Sequence, residues 1–293
     1  MTSVNASPST IPQELPRSEP RLPGPRADAQ ASERRERLLL LQDPEELRAA
    51  LLALLLTPGS RREAKAWRAD SSQLDNAEEL LALVTEMPAA ERLPWLETLA
   101  RRFAKCSTEQ RQSLVEVARR VMAADGVVSA LDRLRWLSLR HLLGERHQVA
   151  PAAAAVELDA IESEQARQVA MLSAYLSWLV PRAPALDLEL SSQPSPGENW
   201  YAAVTARWAH VSNLPSRDEA DGDAMVRALR GVQRLAWMLR PVLLRAWVEA
   251  ARSLTDTYSL EPDAADALRL AALLIDSPLP PELARQFVET GAD

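Results

Sequence analysis

The chain is short of several things, and each shortage excludes something. Its single cysteine, Cys106, rules out an intramolecular disulfide and any metal site built from several thiolates. Glycine is scarce, at 8 of 293 residues, and aromatics make up only 4%. Leucine and alanine fill the space, a balance that favours long helices over sheets. The longest apolar run, Ala49 to Leu56, falls well short of the about 20 residues a membrane-spanning helix needs. No basic and then apolar secretory segment opens the chain, so a cytoplasmic location is expected. There is no Gly-x-Ser-x-Gly elbow, no glycine-rich phosphate loop and no His-Glu-x-x-His, and the three histidines are His141, His147 and His210. The expectation is a protein without catalysis and without a cofactor. A net charge of -7, with arginines interleaved among Glu and Asp, argues against a nucleic-acid partner.

What is present reads as an all-α fold. Residues 1–35 carry Pro8, Pro12, Pro16, Pro20, Pro23 and Pro25 among Ser, Arg and Glu, and are expected to form a disordered leader. Asp43-Pro44-Glu45-Glu46 is a helix start, with Asp43 as cap, and Leu47, Leu51, Leu54 and Leu55 are its buried stripe. Thr57-Pro58-Gly59 ends that helix, and Ser60 with Glu63 spells a capping box for a short helix carrying Trp67. A helix over about 76–87 stops at Pro88. Pro94 is expected near the first turn of the next helix, which runs through Trp95, Leu96, Leu99 and Phe103.

The most informative stretch lies between two further helix patterns. Ser107 to Gln110 opens the first, and Leu131, Leu134, Leu137, Leu142 and Leu143 mark the second. In the link, Gly126 is placed to take a positive φ, Ser129 to cap, and Asp132 to sit in the next helix's first turn. The two helices are therefore expected to fold back on each other. After Gly144 a helix over about 163–180 bridges to the second half, and Pro181 to Gly197 reads as a boundary loop. Trp200, Val204 and Trp208, then Met225 to Ala236, then Leu244, Trp247 and Val248 follow at helical spacing. A second link, Asp256 to Asp263, echoes the first with Thr257 in place of the glycine, as in a degenerate repeat. The implied organisation is residues 1–35 leader, 36–148 first bundle, 149–197 bridging helix and loop, and 198–293 second bundle.

The run Ala123 to Asp132 resembles the "ADG-x-hydrophobic-S/T-x-x-acid" link of TerB-like domains, the tellurite-resistance helical bundles. The wider order, with Arg92-Leu93-Pro94, Leu139-Arg140-His141-Leu142, Leu268-Arg269-Leu270 and Ile275 to Pro281, is similar to the C-terminal soluble region of bacterial membrane-bound zinc metallopeptidases of the HtpX-like class. Ser277 stands where that region usually has cysteine, and the catalytic part and membrane spans are missing. The resemblance implies two tandem TerB-like bundles and a regulatory or partner-binding role, with a membrane-associated protease or transport component as partner. It also implies an alternative, a stress protein that holds a divalent cation through Asp125 and Asp132, with Glu145 close by.

Read as residues, Asp125 beside Gly126 is a turn pair and Asp132 a helix-start acid. A hard cation wants six to eight oxygens, more than one link supplies. His141 and His147, six apart, do not share a helix face as zinc ligands would. Cys106 reads as a small apolar residue at a helix end rather than a reactive thiol. Of the 8 tryptophans most fall on apolar stripes and are expected in the core. Trp136 lies off the Leu134/Leu137 stripe and is the candidate to face solvent or a partner.

Overall fold

The computed structural model describes residues 25–145, 155, 157–181, 194–254 and 260–290. Among them the regular structure is helical, with no strand. The chain divides into two compact units, residues 1–40 and 41–293. In the first, helix α1 spans Pro25–Leu40, so the expected leader is helical over its last described part; residues 1–24 lie outside the described residues. Alanine, arginine, glutamate and glutamine fill α1, and all are good helix formers.

The second unit begins with α2 (Pro44–Leu55), capped by Asp43, whose carboxylate accepts from the Glu45 N–H at 2.7 Å. Its expected stripe widens to nearly the whole circumference, because Ala49, Ala50, Leu52 and Ala53 are buried as well. A helix apolar all round belongs in the middle of a core, and α4 (Ala77–Thr85), α5 (Ala89–Phe103) and α6 (Thr108–Met122) all pack on it. Arg92 of α5 closes the far end of α2. Its Nη2 donates to the carbonyls of Leu54 and Leu56, both at 3.1 Å, satisfying acceptors the helix leaves over. The short α3 (Arg61–Asp70) packs on α6 and carries Trp67, which is fully buried and donates its Nε1–H to the Ala49 carbonyl at 2.9 Å.

Pro94 departs from expectation. It stands inside α5, well past the first turn. Proline has no N–H to give the carbonyl four residues back, which is Ala90. That carbonyl instead accepts from the Val288 N–H at 3.1 Å, so the C-terminal segment supplies the missing donor. The proline is tolerated because a distant strand of backbone was available to complete the ladder.

α6 and α7 (Ala130–Leu142) form the expected hairpin, each opened by a complete capping box, Ser107 with Gln110 and Ser129 with Asp132. The bridging helix is shorter than expected: α8 spans Ser163–Leu176 and ends in a turn, and its Tyr175 hydroxyl donates to the Ala130 carbonyl of α7 at 3.1 Å. α9 (Pro196–Thr205), α10 (Gly222–Val232) and α11 (Leu239–Ser253) complete the second group, in which α8 packs on α9 and α10 and α11 on α9. Buried tryptophans chain through this core. Trp200 Nε1–H donates to the Trp247 carbonyl at 3.0 Å, and Trp247 Nε1–H to Ser173 Oγ at 3.0 Å. The second link falls partly at 255–259, outside the described residues.

α12 (Pro262–Leu274) joins the two groups, packing on α5 and α7 as well as on α11, and a last turn, α13 (Pro281–Ala284), leads to the terminus. Arg269 of α12 is buried; its Nε pairs with Glu97 of α5 at 2.6 Å and its Nη1 with Glu289 at 2.8 Å, over the Phe287 ring. Arg135 of α7 reaches Asp266 of α12 at 3.2 Å. Arg269→Ala leaves the buried Glu97 carboxylate without its main partner and is expected to cost about 3 kcal/mol. The double change Arg269→Met with Glu97→Leu should cost clearly less. Urea unfolding of the wild type and the two variants checks this, and a double variant as unstable as the single one would contradict it.

Candidate functional site

The link between α6 and α7 is built as its residues dictate. Gly126 has φ +89°, which a side-chain-bearing residue rarely adopts. The Asp125 Oδ1 accepts from the Val127 N–H at 3.0 Å, an Asx turn that tightens the corner. Asp132 Oδ2 accepts from the Ser129 N–H at 3.0 Å and the Ser129 hydroxyl at 2.7 Å, and its Oδ1 lies 3.8 Å from Arg135. Both acids named as cation ligands are thus engaged in shaping the turn. Glu145 stands beyond the opposite end of α7 from Asp132, about 20 Å along the helix axis, and pairs with Arg140 at 2.5 Å. Among the described residues no group of three or more His, Cys, Asp or Glu is arranged to hold a metal. His141 is buried, with Nε2 3.1 Å from Asp276; His210 is exposed, and His147 lies outside the described residues.

Glu63 is a third acid near the link, one the sequence assigns elsewhere. Only half of its expected capping box forms: the Glu63 N–H donates to Ser60 Oγ at 3.4 Å, while the side chain turns back to accept from the Thr57 N–H at 2.6 Å. It is buried. Burial pushes its carboxyl above the usual range, the Thr57 bonds pull it partly back, and the charges of Asp125 and Asp132 add to the rise.

Above this link lies a cleft of about 610 Å3. One wall is the hairpin: Met122 and Ala123 from the end of α6, Val128 from the link, and Asp132, Trp136 and Leu137 from α7. The other is the start of α10, with Asp221, Asp223, Met225 and Val226. At Gly222 the two walls meet, the Arg133 guanidinium lying against the glycine so that a Cβ there would displace it. The lining mixes apolar side chains with charged ones. Arg119 and Arg133 on the hairpin wall and Asp223 on the α10 wall have no ion-pair partner among the described residues, whereas Asp221 is occupied in capping α10 at 2.7 Å to the Ala224 N–H.

Trp136 therefore reaches neither the core nor open solvent. It is half-buried in the cleft wall, its Nε1–H donating to the Val115 carbonyl at 3.3 Å and its ring covered by Arg140 at 4.5 Å. The tryptophans that do face solvent are Trp178, 51% exposed, and Trp237, 76% exposed. Stripe counting placed both at apolar helical positions. Both lie in turns just past helix ends, where helical periodicity no longer says which way a side chain points. The α10 half of the cleft was also unforeseen, because nothing local in Asp221 to Val226 announces a neighbour some 90 residues away.

No protein family matches the chain, and no characterised protein or solved structure is significantly similar to it.

The raised Glu63 carboxyl gives a pH signature. The folded state holds that proton more tightly than the unfolded chain does, so the stabilisation is complete below the ordinary pKa of 4.5 and is lost as pH rises through the higher folded value. Relative to Glu63→Gln, the wild type should lose stability as pH climbs above about 4.5 and then level off. Denaturant midpoints of both proteins across this range test it; a difference that is flat, or that grows in favour of wild type with rising pH, contradicts it.

Proposed function

We propose that this protein is a non-enzymatic, cytoplasmic interaction module that grips a helix or loop of another protein in the cleft between the α6–α7 hairpin and α10. The observation that carries the reading is the cleft's composition. Apolar surface from Met122, Leu137, Met225 and Val226 lies beside two arginines with no ion-pair partner among the described residues, Arg119 and Arg133, on the hairpin wall, and beside Asp223 on the α10 wall. An apolar anchor set in a polar rim is the usual anatomy of a recognition site, and the free guanidiniums suit a partner segment that carries carboxylates.

The TerB-like resemblance of Ala123 to Asp132 supports the same reading and extends it. In a free-standing relative of the module found behind HtpX-like peptidase domains, the gripped protein is a membrane-associated protease or transport component. The acids of the link serve the hairpin's shape, and the cleft beside it serves the partner.

Ala123 is exposed at the end of α6 and lines the cleft, so Ala123→Arg fills the site without entering the core. Affinity capture from cells, with membranes retained, is expected to recover a stoichiometric partner with the wild-type chain and at least about tenfold less with Ala123→Arg, as for loss of an interface anchor. Recovery of no stoichiometric partner, or equal recovery by a variant of unchanged circular dichroism, would overturn the proposal.

A further inference from the structure

A second surface is distinct from the cleft. From Ala224 to Val248 the chain has five arginines, Arg227, Arg230, Arg234, Arg240 and Arg245, and no acid, within a protein of net charge -7. Arg240 is consumed internally, its Nη2 donating to the Gln233 carbonyl at 2.6 Å and its Nη1 to the Ile275 carbonyl at 3.0 Å. The other four are exposed and make no ion pair or side-chain hydrogen bond among the described residues. Elsewhere Arg68, Arg101 and Arg120 are exposed and paired with a carboxylate, while Arg61, Arg119, Arg133 and Arg285 are exposed without an ion pair among the described residues; what marks this stretch is four such arginines with no acid between them.

The same stretch exposes apolar side chains. Trp237 and Met238 occupy the turn that joins α10 to α11, 76% and 49% exposed, and Val242 follows one turn into α11 at 45%. Arg227 and Arg230 are exposed on α10, Arg234 is exposed in the turn just past its end, and Arg245 lies one turn beyond Val242. The corner is therefore an exposed apolar turn with unpaired cations on both sides of it in the chain.

We infer that the α10–α11 corner docks on an anionic lipid surface, with Trp237 and Met238 entering the headgroup region and Arg227, Arg230, Arg234 and Arg245 facing lipid phosphates. Tryptophan settles at the membrane–water boundary, where its ring is half in an apolar medium and its N–H remains wet. Guanidinium binds phosphate in a fork, and clustered basic residues draw a protein to an anionic leaflet. An exposed Trp and Met flanked by four unpaired arginines complement an anionic bilayer, which offers phosphates and an apolar layer side by side. No described helix is long and apolar enough to cross the membrane, so the contact is peripheral. The inference is independent of the cleft.

Flotation of the full chain with vesicles tests it, using phosphatidylcholine alone and phosphatidylcholine with about a third replaced by phosphatidylglycerol. The wild type should float with the anionic vesicles, much less with the neutral ones, and less at raised salt. Each basic residue at such a surface is worth about fivefold, so Arg230→Gln with Arg234→Gln should lower partition about 25-fold. Trp237→Ser should weaken it separately, and Ala123→Arg, which blocks the cleft, should leave it unchanged. The three variants should keep the wild-type thermal midpoint, since all the altered side chains are exposed. Absence of flotation, equal flotation with both vesicle types, or arginine variants that float like wild type would overturn the inference. Retention on immobilised polyglutamate with no flotation would overturn it too and reassign the corner to an acidic macromolecule.

Discussion

Arg269 is the group around which the halves of residues 41–293 close. A guanidinium cannot lose its charge and is costly to bury without partners. Here the partners come from far apart in the chain: Glu97 on α5, and Glu289 in the terminal segment, with Phe287 packed against the guanidinium face. Satisfying one buried cation therefore requires α5, α12 and residues 285–290 to meet. The proline in α5 reinforces the meeting, since the Ala90 carbonyl that Pro94 cannot satisfy accepts from Val288. Thr98 and Thr290, whose hydroxyls lie 2.9 Å apart, continue the same seam.

The cleft depends on that closure. With α12 seated on α7 through Arg135 and Asp266, and Tyr175 of α8 bonded to the first residue of α7, the helices that carry α10 are held against the hairpin. The division of labour among charges follows. Carboxylates near the link are used for local geometry, Asp125 in an Asx turn, Asp132 in a capping box and Glu63 in closing Thr57. The arginines beside them, Arg119 and Arg133, have no such task and line the opening. Asp223, on the facing wall, is likewise unpaired among the described residues, so the opening carries charge of both signs.

What the sequence made legible was local. Asp43, Ser107 with Gln110, Gly126, and Ser129 with Asp132 each act within four residues, and each takes the predicted role. Misreadings arose wherever a residue had both a local and a distant partner. Glu63 has the spacing of a capping box, but its side chain is claimed by Thr57 on the preceding turn. Pro94 looks foreign to a helix interior until Val288 is seen beside it. Trp136 is half-buried, and so is Leu137 of the expected stripe, because both border the cleft against α10, which no periodicity in α7 reveals. The second bundle was legible as helices, but not the fact that α12 also packs on α5 and α7 of the first.

The claim most exposed to test is that residues 41–293 unfold as one body because α12 and the terminal segment lock the first group of helices to the second. Differential scanning calorimetry of the intact chain addresses it directly. A single transition, with calorimetric and van't Hoff enthalpies equal, is the predicted result. Two resolved transitions in the wild-type chain, one for each group of helices, would contradict it.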